Sequence, residues 1–575
     1  MRNTYFSTKK RLFAMFVAIA FIFFVIFLRL GYIQIVWGKK LQTRALEQWT
    51  RDLPVTADRG DITDTNGIVF ASSGTSYTVY VRPNSVSNHS LVAELLSQAL
   101  KLSYQDVYDK VTAKISENTI KRKITVEEAN LIRSYNLEGV YLAADTSREY
   151  VYGDFLSQVL GFVSSDNTGQ SGLEAYYDKY LRGVDGAILT PSDLVGKELE
   201  GESAYYTPPV SGLNVVTTID FRIQRVVENV LDLVMQGHSP KGARCIVVNP
   251  QTGEVLAMSS KPSVDLNNLP RDNIGELMAS TKNMLITDVY EPGSTFKVLT
   301  AAAMLEEYAR GNPKAHSASY VFPNNANFRI VDGSRVKCWT THTSSKHCNQ
   351  NLGDALNNSC NPIFTDIGLS LGKETMYKYL SAFGYGAVSG IDFAGEQAGL
   401  LVAESAVTNG DLARISFGQT IAVTPLQLAM ATSAAVNGGL LMQPYLVKEI
   451  RTQEGELVKK CYPTVRQRAI SEKVSRELAG LLENVVTNGS GKQAYIEGFK
   501  VGGKTGTAQK YENGHIAVGK YVSSFVGFFP ADNPQYLALM LVDEPTGAHY
   551  GSTVAAPYAK MIFQQIINYK NLKPA

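Results

Sequence analysis

The chain has 575 residues, 45% of them hydrophobic, which is too long for one ordinary domain and apolar enough to bury more than one core. Its 55 basic and 53 acidic side chains leave a formal net charge of +2. A balance that even supplies no broad basic face for a phosphate backbone, and nucleic acid is excluded as an expected partner.

From Leu12 to Leu28 the sequence carries no charge, and beyond Arg29 the apolar character resumes through Leu30, Tyr32, Ile33, Ile35 and Trp37. At about 1.5 Å per residue the uncharged run covers about 25 Å. One membrane-spanning helix is therefore expected over residues 12–35, with Arg29 snorkelling and Tyr32 and Trp37 suited to an interfacial aromatic belt. Arg2, Lys9, Lys10 and Arg11 crowd its N-terminal flank. The positive-inside rule leaves residues 1–11 in the cytoplasm and sends the remainder out, a single-pass type II anchor. A cleaved signal peptide shares the basic start, but the apolar run is long for one and no small-x-small cleavage signal follows.

Residues 40–240 alternate short strand-like runs, such as TSYTVYVRP and GAILTP, with polar helical stretches, the pattern of an irregular, extended α+β module. Near Lys241 the texture changes, and residues 241–575 read as a second domain. There ARCIVVNP and VLAMSS flank QTGE, which predicts a β-hairpin. From Ser294 to about Asn488 the pattern is mostly helical. Strands return in SSFVGFFP and YLALMLVDEP, joined across ADNPQ, and a helical tail from Ala555 ends the chain. Strands early and late would build one sheet from both ends of the domain, with the intervening helices covering it.

Five cysteines make no disulfide framework in a chain this long. Cys338 and Cys348, in CWTTHTSSKHC, are close enough in sequence to bridge in an oxidising compartment. His342 and His347 share the loop, but the interval is no standard zinc-finger spacing, so a disulfide or two free thiols is expected and no metal. Cys245, in the strand-like ARCIVV, reads as a core residue.

YEPGSTFKVLTAAAM places Ser294 after a Pro-Gly break at the head of a helical pattern, with Lys297 three residues on and on the same face. A serine hydroxyl is a weak nucleophile, and a lysine stripped of solvent can serve as its base. Alone, S-x-x-K is better explained by an N-cap serine and a surface lysine. Two further elements change that: LNNSCNPIF supplies Ser359 and Asn361, and VGGKTGTAQ supplies Lys504, Thr505, Gly506 and Thr507. A second hydroxyl and an amide can relay protons and hold a peptide bond, a lysine and hydroxyls on a strand can bind a terminal carboxylate, and Gly506 would admit a substrate backbone. The order S-x-x-K, S-x-N, K-T-G is shared by penicillin-binding proteins and class A β-lactamases.

Across nearly its whole length the chain resembles the class B penicillin-binding proteins. RGDITDTNGIVFA (Arg59, Gly60, Asp64, Asn66, Gly67), REYVYGDFLSQVLGFV (Arg148, Gly161) and GQSGLEAYYDKYLRGVDG (Gly172, Glu174, Gly183) resemble the family's pedestal motifs, expected to serve scaffolding or contacts. VVNPQTGEVLAMSSKPSVDLN, ISFGQTIAVTPLQLA and YGSTVAAPYAKMIF resemble its catalytic half. The resemblance implies an α+β chain with an N-terminal transmembrane helix, a dimerisation or pedestal module, and a penicilloyl-serine-transferase domain whose five-stranded antiparallel sheet is covered by helices. It implies a peptidoglycan D,D-transpeptidase acting on D-Ala-D-Ala stem peptides and acylated by β-lactams. Ser294 is the implied nucleophile, Lys297 its base and Ser359 the relay. Asn361 contacts the donor peptide, Lys504, Thr505 and Thr507 hold the carboxylate, and the N–H groups of Ser294 and Thr507 form the oxyanion hole. No cofactor is implied.

Cys360 stands where β-lactamases carry aspartate, and reads as a packed thiol. A glycan polymerase module is missing, so a multi-spanning membrane glycosyltransferase is the implied partner, together with other wall-synthesis proteins. Leu12–Leu28 and the pedestal motifs are its expected contact surfaces. The competing readings are a β-lactam sensor, which expects further membrane helices, and a non-catalytic scaffold, which an intact Ser294, Lys297 and Lys504 argue against. A β-lactamase needs neither anchor nor pedestal, while D,D-carboxypeptidase side activity uses the same acyl-enzyme.

Overall fold

The computed structural model describes residues 2–41, 50–191, 205–323, 326–342, 347–512 and 515–574. They form two compact units, one of Met1–Asp58, Thr75–Ser147 and Val184–Val210, the other of Arg59–Gly74, Arg148–Gly183 and Ser211–Ala575.

Helix α1 (Arg2–Val36) runs through the apolar N-terminal stretch. It is the one helix, among the described residues, long and apolar enough to cross a membrane. Over Thr8–Val36 its mean hydropathy reaches 2.7, and none of that window is buried. Phe13, Phe16, Phe21, Phe23 and Phe27 are each more than 60% exposed, an arrangement that water alone would penalise heavily. Elsewhere in this unit, Tyr77–Val81 pairs antiparallel with Asn118–Ile124. Helices His89–Leu100, Tyr104–Val111 and Val126–Tyr135 pack against a core that includes Val79, Leu96, Val107 and Ile132.

The second unit is organised by strands β1 (Gly242–Val248), β2 (Val255–Lys261), β3 (Phe328–Val331), β4 (Ser334–Lys337), β5 (Gly502–Glu512), β6 (His515–Phe529) and β7 (Tyr536–Asp543). Its helices include α2 (Phe221–His238), α3 (Lys297–Ala309), α4 (Leu352–Asn357), α5 (Asn361–Leu371), α6 (Pro425–Val436), α7 (Glu472–Thr487) and α8 (Ala556–Lys570). Five strands form one antiparallel sheet in the order β2-β1-β7-β6-β5, so the two ends of the domain meet at the β1–β7 pair as the strand pattern predicts. β3 and β4 form a separate hairpin.

Period-2 alternation puts Ile246, Val248, Val526, Leu539 and Leu541 into the core on one side of the sheet. Ala243, Cys245, Val247, Phe525 and Met540 enter the core on the other, where α2 and α8 pack, and Cys245 is fully buried as expected. Helix α3 lies in the larger core, with every residue from Lys297 to Glu307 buried. Thr424 and Gln427 form a capping box that starts α6, with Pro425 at its first position.

Three charged side chains of the pedestal motifs in this unit, Arg59, Arg148 and Glu174, face inward. Arg59 is 1% exposed and donates to Glu174 Oε2 at 2.6 Å, Asp178 Oδ1 at 2.7 Å and the carbonyls of Asn167 and Glu174. Arg148 Nε holds the other Glu174 oxygen at 2.6 Å. Gly161 and Gly172, both at positive φ, back onto each other, and a Cβ on Gly161 would lie 2.0 Å from the Ser171 carbonyl. Of the two roles expected for these motifs, Arg59, Arg148 and Glu174 take the scaffolding one, each side chain being at most 1% exposed and committed to a partner inside the unit.

Candidate active site

Ser294 sits on a 3-10 turn, Gly293–Phe296, that feeds into α3. Sequence pattern placed the serine on the helix itself; the α-helix begins instead at Lys297. In a 3-10 turn residues i and i+3 eclipse, and Lys297 Nζ lies 3.1 Å from Ser294 Oγ. Gly293 enters the turn at φ +56, and its N–H donates to the carbonyl of Gly418 at 2.9 Å.

Lys297 is wholly enclosed because α3 is a core helix, and burial pulls its ammonium down to about 8, against a small upward pull from Cys338 and Cys360. Its Nζ has four oxygen neighbours: Asn361 Oδ1 at 2.7 Å, Ser359 O at 2.8 Å, and the hydroxyls of Ser359 and Ser294 at 3.1 Å each. The two shortest are pure acceptors. A neutral amine has two N–H bonds for them and one lone pair, which is left for a serine proton.

The S-x-N motif forms the turn between α4 and α5. Ser359 adopts φ +54, unusual for a residue with a side chain, and so presents both its carbonyl and its hydroxyl to Lys297. Asn361 opens α5, and its Nδ2 donates to Lys337 O at the end of β4, 3.1 Å away. From the sheet, Lys504 Nζ reaches Ser359 Oγ at 3.0 Å. Burial, and then the charge of Lys297, push Lys504 well below the usual lysine range. The Ser359 hydroxyl is thus shared by two buried amines.

Thr505 Oγ1 lies 3.2 Å from Ser490 Oγ, and Thr507 Oγ1 accepts from Gly551 N at 3.1 Å. Lys504 is fully buried, so the half-buried Thr507, rather than the ammonium, stands at the opening. Gly506 serves the chain's own packing: a Cβ there would fall 2.4 Å from Ser524 Oγ, 3.0 Å from Thr295 Cγ2 and 3.2 Å from Pro292 O. Its smallness lets β5 lie against the Ser294 turn. All eight residues singled out by sequence thus belong to one constellation. Ser490 was missed, and Gly418 and Gly551 were noted only as part of family-like segments without a role, since each acts through tertiary contact.

Of the two alternatives for Cys338 and Cys348, the structure has the free thiols. No disulfide joins any of the five, so Cys338 and Cys348 are not bridged. Cys338 Sγ faces His347 Nδ1 and Cys360 Sγ faces His342 Nε2, each at 3.8 Å. Residues 343–346 of that loop lie outside the described residues.

A serine beside a desolvated lysine, a second serine shared with a second lysine, and a threonine-bearing strand define an acyl-transfer site of the penicillin-binding type. Residues 243–567 match the model of the penicillin-binding protein transpeptidase domain and residues 54–217 that of the penicillin-binding protein dimerisation domain; the chain belongs to this family. It is 40% identical to stage V sporulation protein D of Bacillus subtilis, over 100% of this chain and 88% of that one. To the peptidoglycan D,D-transpeptidase FtsI of Escherichia coli it is 26% identical, over 95% of this chain and 89% of that one. Among solved structures, a peptidoglycan synthetase from Bifidobacterium adolescentis shares the fold with a TM-score of 0.72 at 24% identity, covering 92% of this chain and 98% of that one. Penicillin-binding protein 3 of Mycobacterium tuberculosis, solved with aztreonam, gives 0.69 at 22%, covering 91% and 98%.

Proposed function

We propose that the chain is a peptidoglycan D,D-transpeptidase that cross-links stem peptides through an acyl-enzyme on Ser294. The observation that carries this reading is the buried Lys297 Nζ, held 3.1 Å from both the Ser294 and Ser359 hydroxyls. Ser294 Oγ attacks the carbonyl of the penultimate D-Ala while its proton passes to Lys297 Nζ. The Ser294 and Thr507 N–H groups receive the developing oxyanion. Ser359, lying between Lys297 and Lys504, relays that proton to the leaving amine, the C–N bond breaks and D-Ala departs. An amine of a neighbouring stem peptide then attacks the ester, losing a proton back through the same lysine, and Ser294 is restored. A carboxylate bound by Thr505 and Thr507 favours a proton on Lys504 beneath them. A charge there in turn keeps Lys297 neutral.

β-Lactams acylate the same serine. Incubating the full chain with a labelled penicillin is expected to give one adduct, located on Ser294 by mass spectrometry, and Ser294→Ala is expected to give none and to form no cross-links. Adduct formation by that variant overturns the assignment. A chain that binds penicillin but cross-links nothing would favour the sensor or scaffold reading.

The basic residues Arg2, Lys9, Lys10 and Arg11, in the first turns of α1 ahead of its apolar stretch, support a cytoplasmic N-terminus with the catalytic unit outside. We further assign the partner as a membrane glycosyltransferase that supplies the glycan strand, since no polymerase module is recognised in the chain.

A further inference from the structure

The Cys338, His342, His347 and Cys360 side chains converge so that one ligand atom from each lies within 4.8 Å of all the others. The geometry points to a structural zinc site, of Cys2His2 type, built onto the S-x-N turn.

The donor set matches zinc in number and softness, two thiols and two imidazoles. Tetrahedral zinc with bonds of about 2.0–2.3 Å separates its ligand atoms by about 3.3–3.8 Å. Two of the four sulfur–nitrogen pairs, Cys338 with His347 and Cys360 with His342, already stand at 3.8 Å. The rings of His342 and His347 lie 5.0 Å apart, centroid to centroid. His347 is 4% exposed and Cys360 fully buried, so water is largely excluded. A Cys338–Cys360 disulfide would use the thiols alone and leave two imidazoles gathered around them for no reason.

The ligands come from two places. Cys338, His342 and His347 follow the β3–β4 hairpin, and Cys360 is the residue between Ser359 and Asn361. The same two segments are tied on either side, Trp339 Nε1 donating to Asn358 O at 2.9 Å and Asn361 Nδ2 to Lys337 O at 3.1 Å. An ion at the tetrad, taken up as both thiols release their protons, would pin the hairpin to the catalytic turn. Cys360 is then a positioning residue, which fixes where Ser359 and Asn361 meet Lys297. Spacing within CWTTHTSSKHC did not reveal the set because its fourth member lies in the catalytic motif and Cys348 is not in it.

The test uses the full chain, purified in detergent under reducing conditions without chelator. Metal analysis is expected to find about one zinc per chain. Cobalt exchanged into the site is expected to show the visible and thiolate charge-transfer bands of a tetrahedral centre. Cys338→Ser and His342→Ala are expected to lose most of the zinc, while Cys348→Ser, in the same loop but outside the tetrad, keeps it. Chelation is expected to lower Tm by about 5 °C or more and slow penicillin acylation at least about tenfold, both restored by zinc. The inference is overturned if the wild-type chain neither carries nor takes up more than about 0.1 zinc per chain. It is overturned equally if Cys348→Ser loses as much as Cys338→Ser, or if mass spectrometry finds Cys338 and Cys360 joined as a disulfide in the native chain.

Discussion

At Lys297 the chemistry depends on a proton that burial has made easy to lose. The amine sits near 8, pulled down by desolvation, and acts as a base only when neutral. The sign follows: raising the pH through about 8 empties the proton and speeds acylation, while lowering it fills the base and slows the reaction. The rate of penicillin acylation is expected to plateau above that value and to fall to about a hundredth of the plateau near pH 6. Lys297→Arg keeps a cation that cannot be discharged, and its acylation is expected to drop by about 10²–10⁴-fold with the fold intact, checked by stopped-flow labelling and circular dichroism. A flat pH profile would contradict the role given to Lys297. The chemical identities of Ser294, Lys297, Ser359 and Lys504 were legible as letters, because acyl transfer demands those groups in that order. Their protonation was not legible, since it depends on α3 being enclosed on every side, which no local pattern states.

The elements around these residues are held by backbones that approach closely. Gly418, in the ISFGQT segment, has φ +85, and a Cβ there would stand 2.1 Å from the carbonyl of Gly293. Its carbonyl in turn receives the Gly293 N–H. Gly418→Ala must therefore both adopt a strained conformation and push the Ser294 turn away, so stability is expected to fall by about 2 kcal/mol or more and acylation by at least about tenfold. Thermal melts and penicillin labelling check this, and wild-type acylation would show that the turn does not need the brace. A second expectation concerns the buried cluster at Glu174. Glu174→Ala strands Arg59 and Arg148 without their shared carboxylate, at a cost of about 3–5 kcal/mol, measurable as a loss of Tm. Both sites fall in segments that resemble the family's motifs. What they do was hidden, because Gly293 is 125 positions from Gly418 and Arg59 is 115 from Glu174. The hairpins were easier to read, since the β1–β2 and β6–β7 turns join neighbours in sequence and alternation alone sorts their side chains between two cores.

For the whole molecule, the exposed apolar length of α1 and the catalytic unit pose one question, namely what brings the transpeptidase to a nascent glycan strand. Composition alone revealed α1, because a run of some 17 uncharged residues has few uses in water. It could not reveal which surfaces meet a partner, and within the motifs that looked suited to contact Arg59, Arg148 and Glu174 are buried while Val151, Tyr152 and Tyr176 are exposed. With Arg59, Arg148 and Glu174 occupied, the membrane helix is the stronger candidate, since helix packing in a bilayer can be specific without charge. Replacing Leu12–Leu28 by an unrelated apolar helix of equal length keeps an anchor and removes any such packing. Co-purification with a membrane glycosyltransferase in detergent is then expected to fall by at least about tenfold, while penicillin still labels Ser294 at the wild-type rate. Full association of that variant would reduce α1 to an anchor and move the search to the exposed side chains of the soluble units. Loss of labelling together with association would instead mean that the replacement had damaged folding, a result the melting curve of the same preparation separates from loss of contact.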